Sequence, residues 1–261
     1  MHFTAPVRIQ NVSDMFNSKT LHLSKQWRDA LNAAGLLDIE AATKRDFNWF
    51  EPPNKRRGGW SGVTRIVLNP DAPQSEQQAV FLKIQQNHFY TSPRTGFRKR
   101  LTFEREYQAL TAISAFIHDI PNLVLFANWR QNKHTGAILI TEAIDDYISL
   151  DKWLTQHGPD ATRLNAVLEA LANTLRQLHA RKWAHFGLFP KHVFIRKTTP
   201  NTETIKLIDL EKTRKCWRTS TCIVEDCSRF YDIPRHSIKK RSSTSSKLTS
   251  KPIPSALHNS N

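Results

Sequence analysis

The side chains best placed to do chemistry are a lysine inside an apolar strand, a glutamate pair on the helix after it, and a late histidine loop followed by an aspartate. Lys83 lies within VFLKI, where an ammonium is costly unless it meets a carboxylate or phosphate, the alternative being an outward-facing edge lysine. TFEREY then carries Glu104 and Glu106. A helix carboxylate facing a strand lysine would hold that lysine against the phosphates of a nucleotide. Glu106, which precedes the apolar Tyr107, is the better partner, although either glutamate alone also reads as a surface charge. Further on, AHFGLFPKHVFI (Ala184 to Ile195) and KLIDLEK (Lys206 to Lys212) supply His185, His192 and Asp209. Imidazole plus carboxylate suits Mg²⁺ or Mn²⁺, the histidine favouring Mn²⁺, and Asp209 otherwise reads as a capping or turn aspartate. KRRGGWSGV (Lys55 to Val63) sets Gly58, Gly59 and Gly62 before a strand. Small residues there let backbone N–H groups approach phosphate oxygens. The same pattern also marks an ordinary hairpin turn, with Lys55, Arg56 and Arg57 as a solvated face.

These groups need a sheet and two kinds of helix to position them. Val63 to Leu68 and Val80 to Ile84 read as strands separated by the turn-rich NPDAPQSEQQ. Phe103, Tyr107, Leu110, Ile113 and Phe116 keep a helical period. Leu123 to Trp129 and Ala137 to Ile140 flank QNKHTG as a hairpin. Beyond Ile144 the pattern turns helical, with Leu164, Val167, Leu168, Leu171, Leu175 and Leu178 on one stripe. Val193 to Ile195 and Ile205 to Ile208 then form a short hairpin around TTPNTET.

With 261 residues the chain is long enough for two packed lobes, each with its own apolar core. Lys and Arg outnumber Asp and Glu by 38 to 23, a formal charge of +15 that predicts attraction to phosphate-rich partners. No basic segment leads into an apolar stretch at the N-terminus, and no run approaches about 18 apolar residues, so neither an export signal nor a membrane span is expected. Cys216, Cys222 and Cys227 are expected to be free thiols rather than a disulfide framework or zinc site. No basic helix with interleaved base-reading residues is visible, so nucleic acid is not an expected partner. After Trp217 patterning fades, and Ser237 to Asn261 is expected to be disordered. The abrupt change after DLEKTRKCW also suggests a frameshifted or truncated C-terminus.

The segments RRGGWSGV, FLKI, TFEREY, LITEA, HFGLFPKHVFI and LIDLEKTR, spanning Asn54 to Arg218, resemble the lipopolysaccharide kinase family. These are the Kdo/heptose kinases of the WaaP type, and the likeness is strongest to the InaA-like branch. The resemblance implies an α+β, protein-kinase-like two-lobed fold, with an antiparallel sheet lobe plus one helix followed by a mainly helical lobe. The corresponding divisions are 1–53 as an N-terminal extension, 54–144 as the sheet lobe, 145–218 as the helical lobe and 219–261 as a disordered basic tail. It further implies ATP-dependent phosphorylation of a sugar hydroxyl in the lipopolysaccharide inner core, at the cytoplasmic side of the inner membrane of a Gram-negative bacterium. ATP, Mg²⁺ or Mn²⁺, the core sugar and an anionic membrane surface are the implied partners. Carried over residue by residue, Gly58, Gly59 and Gly62 correspond to the phosphate loop, Lys83 and Glu106 to the ion pair, and Glu142, Ala143 and Ile144 to the hinge beside adenine. His192 and Asp209 correspond to the metal ligands. One departure stands out: Gly187 occupies the position of the proton-accepting aspartate. General-base help is worth about 10²–10⁴-fold, so transfer can persist without it, with His185, Glu211 or water as the substitute. The competing reading is an InaA-like pseudokinase or stress-associated nucleotide-binding protein without transfer.

Overall fold

Strands that are apolar on both faces need cover on both, and the first half of the chain supplies it. The computed structural model describes residues 15–50, 52–56, 58–157, 161–196 and 204–231. In chain order the first half runs β1 (Asn17–Leu23), α1 (Arg28–Ala33), α2 (Ile39–Lys44), β2 (Asn54–Arg56), β3 (Gly59–Val67) and β4 (Ala79–Gln86). It continues with β5 (Phe89–Tyr90), β6 (Arg100–Leu101), α3 (Thr102–Ile113), β7 (Leu123–Gln131) and β8 (His134–Glu142). Six of these strands form an antiparallel sheet in the order β1-β7-β8-β4-β3-β2.

The twofold period of β4 decides what faces where. Val80, Leu82 and Ile84 pack under Leu31, Leu36 and Ile39 from the α1–α2 region. The alternate residues turn toward α3, so Lys83, opposite Val63 on β3 and Leu139 on β8, points to the helix side. Next to it the buried Gln85 accepts the Phe103 N–H at 3.2 Å through Oε1, which docks the first turn of α3 on the strand.

The second half comprises β9 (Tyr147–Ser149), α4 (Leu150–His157), α5 (Ala161–Ala180), β10 (Trp183–Ala184), β11 (Val193–Arg196), β12 (Ile205–Leu207), β13 (Arg214–Lys215) and α6 (Thr219–Tyr231). The leucine stripe of α5 buries Val167, Leu171 and Leu178 in the same apolar core as Phe103, Leu110 and Ile113 of α3 and Leu139 of β8. That shared core joins the sheet half to the helical half. β11 pairs with both β12 and β9, which sets the residues before and after the β11–β12 hairpin near the end of the sheet.

Two expected divisions need correction. Within the expected extension 1–53, the described residues are part of the sheet half: β1 is an edge strand of the sheet, and Trp27, Leu31, Leu36, Ile39, Ala42 and Phe47 belong to its core. The tail expected from 219 starts instead with α6, which buries Cys222 and Asp226. A helix that buries one thiol and one carboxylate shows no leucine stripe, which is why its period escapes a hydrophobicity reading. Residues 232–261, the rest of the expected disordered tail, lie outside the described residues. The cysteines are free thiols, as expected. No helix among the described residues is long and apolar enough to cross a membrane.

The glycines of the β2–β3 hairpin have distinct physical reasons. Gly58 sits at the turn with φ +77°, a left-handed conformation that favours glycine. A Cβ on Gly59 would fall 2.3 Å from the Asn87 carbonyl oxygen, and one on Gly62 would fall 2.6 Å from the Trp49 ring. Gly62→Ala is therefore expected to destabilise the protein by about 1–3 kcal/mol through overpacking, read as a lower urea midpoint. An unchanged midpoint would mean that Trp49 gives way freely.

Candidate active site

Burying a lysine demands a partner, and α3 brings one. Lys83 Nζ lies 2.6 Å from Glu106 Oε1, with the two side chains only 18% and 4% exposed. Burial lowers the Lys83 pKa, but the charges of Glu106, Asp209 and Glu211 and the Glu106 hydrogen bond outweigh it and hold the ammonium above its ordinary value. Burial pushes the Glu106 carboxyl up; Lys83 opposes this, while Asp209 and Glu211 add to it. The charges of three carboxylates, Glu106, Asp209 and Glu211, thus act on this one ammonium. Glu104, the alternative partner, is instead 3.2 Å from Arg100 at the surface.

The aspartate of that group comes from the end of β12. Asp209 adopts φ 61°, ψ 57° and begins a short 3-10 turn, Leu210–Lys212, whose Leu210 is buried. This turn packs on α3, where Arg105 Nε donates to the Glu211 carbonyl. The helix that supplies Glu106 therefore also grips the segment that supplies Asp209. The Glu211 carboxyl is raised by burial and by Asp209, against Lys83, Arg105 and Lys212.

His192 meets Asp209 from the loop between β10 and β11. Its Nδ1 is 2.6 Å from the Gly187 carbonyl, to which it donates, and its Nε2 is 3.3 Å from Asp209 Oδ2. Burial and the nearby Lys191 and Lys212 lower its pKa against the Gly187 bond and Asp209. A neutral ring whose Nδ1–H is engaged turns a lone pair toward a carboxylate oxygen, an arrangement that a bridging cation stabilises. The spacing suits neighbouring ligands on one ion, which lie about 3 Å apart when each bond is about 2.1 Å. Among the described residues no cluster of three or more His, Cys, Asp or Glu is arranged to hold a metal. This two-ligand pair therefore fits a cation that takes its remaining ligands from phosphate and water, as Mg²⁺ commonly does.

His185, expected as a candidate proton acceptor, lies beneath the site. It is fully buried, Nε2 donating to the Ile208 carbonyl at 2.9 Å, while Nδ1 has no partner among the described residues. Desolvation lowers its pKa, although Asp226, the Ile208 bond and Asp209 pull the other way. Its place is structural: it spans from the loop to the residue before Asp209. Gly187 lies over the same ring, with a Cβ position 3.5 Å from Nδ1 and no positive φ, so neither crowding nor backbone conformation demands glycine there.

Sequence reasoning missed the residue that holds this loop. Asp226 of α6 is fully buried and accepts the Phe186 N–H at 2.8 Å through Oδ1. Its Oδ2 accepts the His185 N–H at 3.0 Å and His179 Nε2 at 2.9 Å. The signal available was a pair of adjacent acids, Glu225 and Asp226, midway through a stretch without an apolar pattern.

At the hinge segment, Ala143 N–H donates to the Ala79 carbonyl at 3.0 Å, and the Ile144 carbonyl accepts from Tyr147 N–H at 3.0 Å. The Glu142 carboxylate accepts from Asn122 at 2.7 Å. Arg65 of β3 reaches across to Asp145 with contacts of 2.8 and 2.5 Å, tying the sheet to the segment after the hinge. Lys83, Glu106, His192, Asp209 and Glu211 thus converge on one site, with His185 beneath it. Gly58 forms the turn of the β2–β3 hairpin and Gly59 and Gly62 lie on its second strand with Val63, while Lys55 and Arg56 are exposed on its first strand. Arg57 lies outside the described residues.

Comparison with known proteins agrees with this architecture. A sequence model of the Lipopolysaccharide kinase (Kdo/WaaP) family matches residues 40–247. Protein InaA of Escherichia coli (strain K12) is 29% identical over 189 residues, which cover 71% of this chain and 82% of that protein. A solved structure of WaaP in complex with acyl carrier protein superposes with a TM-score of 0.57 at 15% identity, covering 82% of this chain and 80% of that one. The likeness establishes the two-lobed kinase-like fold, with a sheet-rich first half and a helical second half. Asp226→Ala is expected to cost about 3 kcal/mol or more, because three buried donors lose their acceptor. Chemical denaturation measures this, and a native midpoint would contradict the anchoring role.

Proposed function

The chain belongs to the lipopolysaccharide kinase (Kdo/WaaP) family, and from that premise we propose that it transfers the γ-phosphoryl group of ATP to a sugar hydroxyl of the lipopolysaccharide core. The observation that carries this reading is the meeting of the Lys83–Glu106 pair with His192 and Asp209. In the proposed complex Lys83 grips the phosphates while Glu106 fixes its ammonium. His192 and Asp209 hold Mg²⁺ or Mn²⁺, and the Gly58–Gly62 hairpin covers the phosphate chain. A cation held by these two side chains would supply charge neutralisation to the phosphates.

Adenine would lie beside Glu142–Ile144. Because Ala143 N–H and the Ile144 carbonyl are engaged, the Ala143 carbonyl and Ile144 N–H are the groups offered to the base. The acceptor oxygen then bonds to the γ-phosphorus as the bond to the ADP oxygen breaks. With Gly187 in place of a carboxylate, the hydroxyl proton leaves to water or to the transferred phosphoryl oxygens, at a slower rate than a positioned base would give. Site and acceptor would sit at the cytoplasmic face of the inner membrane.

Gly187 is also the observation that favours the second reading, a nucleotide-binding protein without transfer. Incubation with labelled ATP, Mg²⁺ or Mn²⁺ and inner-core lipopolysaccharide separates the two. Transfer is expected with the native chain and should fall to background in Asp209→Asn. Asparagine tolerates the left-handed backbone of position 209, so that loss would not reflect misfolding. No transfer by the native chain, while ATP still raises its melting temperature, would replace the first reading with the second.

A further inference from the structure

Between β4 and α3 the chain leaves the sheet in a short excursion closed by a two-strand ladder, Phe89 opposite Leu101 and Tyr90 opposite Arg100. Its sequence, His88 to Leu101, contains Arg94, Arg98, Lys99 and Arg100 and no Asp or Glu. Arg98, Lys99 and Arg100 are exposed. Among the described residues, the acid facing it across an ion pair is Glu104, 3.2 Å from Arg100.

The tip is built rigidly. Ser92 and Thr95 form a reciprocal capping box, with Thr95 N–H donating to Ser92 Oγ at 3.3 Å and Ser92 N–H to Thr95 Oγ1 at 3.1 Å. The Ser92 carbonyl accepts the N–H groups of both Thr95 and Phe97 at 3.0 Å. Gly96 and Phe97 are both left-handed, at φ 57° and 58°. An aromatic residue rarely adopts that conformation, and one that does marks a site where strain serves something outside the local fold. Here the strained backbone presents a ring that is 73% exposed.

The β2–β3 hairpin extends the same surface. Gly59 lies against the Asn87 backbone. His88 is pushed down by burial and then by the charge of Arg56, which places that guanidinium nearby. Lys55 and Arg56 are both exposed.

We propose that this excursion docks the protein on an anionic bilayer leaflet, with Phe97 entering the headgroup–acyl boundary while Arg98, Lys99, Lys55 and Arg56 meet lipid phosphates. An apolar wedge framed by cations is the chemistry of interfacial binding. A single exposed ring on a tight turn offers too little area for a stable protein interface. It also lacks the groove of stacking platforms that single-stranded nucleic acid requires. The inference does not depend on phosphoryl transfer, so it and the kinase reading fail separately.

Full-length protein is sedimented with phosphatidylcholine vesicles that contain phosphatidylglycerol, and with phosphatidylcholine vesicles alone. The native chain is expected to bind the anionic vesicles only, and less at high salt. Phe97→Ala should weaken binding by about tenfold with the melting temperature unchanged, because the ring is exposed. Arg98→Ser and Lys99→Ser should each weaken it by roughly fivefold, and Phe97→Trp should retain it. Native-like binding by Phe97→Ala, even with weakened charge variants, would reduce the surface to a general anion patch and overturn the proposal. Equal binding to phosphatidylcholine alone would also overturn it.

Discussion

A buried ammonium surrounded by three carboxylates is the constraint on which the rest of the site depends. Lys83 belongs to the sheet and Glu106 to the helix laid across it, so their 2.6 Å contact fixes α3 on β4. Breaking such a pair by removing one partner costs about 3–5 kcal/mol, because the other charge is left buried. The helix that answers Lys83 also donates Arg105 to the Glu211 carbonyl. The lysine, its glutamate and the segment after Asp209 are consequently one mechanical unit. In the proposed complex the carboxylates of that unit face the cation and its ammonium faces the phosphate chain.

The helical half supplies the complementary floor. Asp226 gathers the backbone of His185 and Phe186 and the His179 ring into one buried acceptor. His185 passes that order on to the Ile208 carbonyl, one residue before Asp209. Histidine in this loop thus stands in two settings, set by burial: His185 is a strut, and His192 turns Nε2 toward Asp209. Glycine at 187 leaves both arrangements intact, its carbonyl accepting from His192 Nδ1.

Much of this was legible wherever a residue broke its surroundings. Lys83 interrupts an apolar strand and Asp209 closes an apolar run, and an interruption that folding tolerates needs a partner. The leucine period of α5 and the turn at QNKHTG also mark their elements directly, and both elements are present. What escaped reading was held by hydrogen bonds rather than by periodic apolar burial. Asp226 gives α6 its anchor without a hydrophobic stripe, and β1, an edge strand with mostly exposed residues, has no alternation to detect. The glycines were read for their approach to phosphate, whereas Gly59 and Gly62 are also demanded by Asn87 and Trp49, contacts distant in sequence. The burial of His185 was likewise not legible, because its motif position carries no sign of the contacts that cover it.

Calorimetric titration of Mg²⁺·ATP into the native chain, Lys83→Met, Glu106→Gln and the double variant tests the central claim most directly. If the pair acts as one unit, each single substitution weakens binding by about tenfold or more and the double variant is little worse than Lys83→Met, the non-additivity of coupled residues. Native affinity in the single variants, or losses that simply multiply, would contradict it.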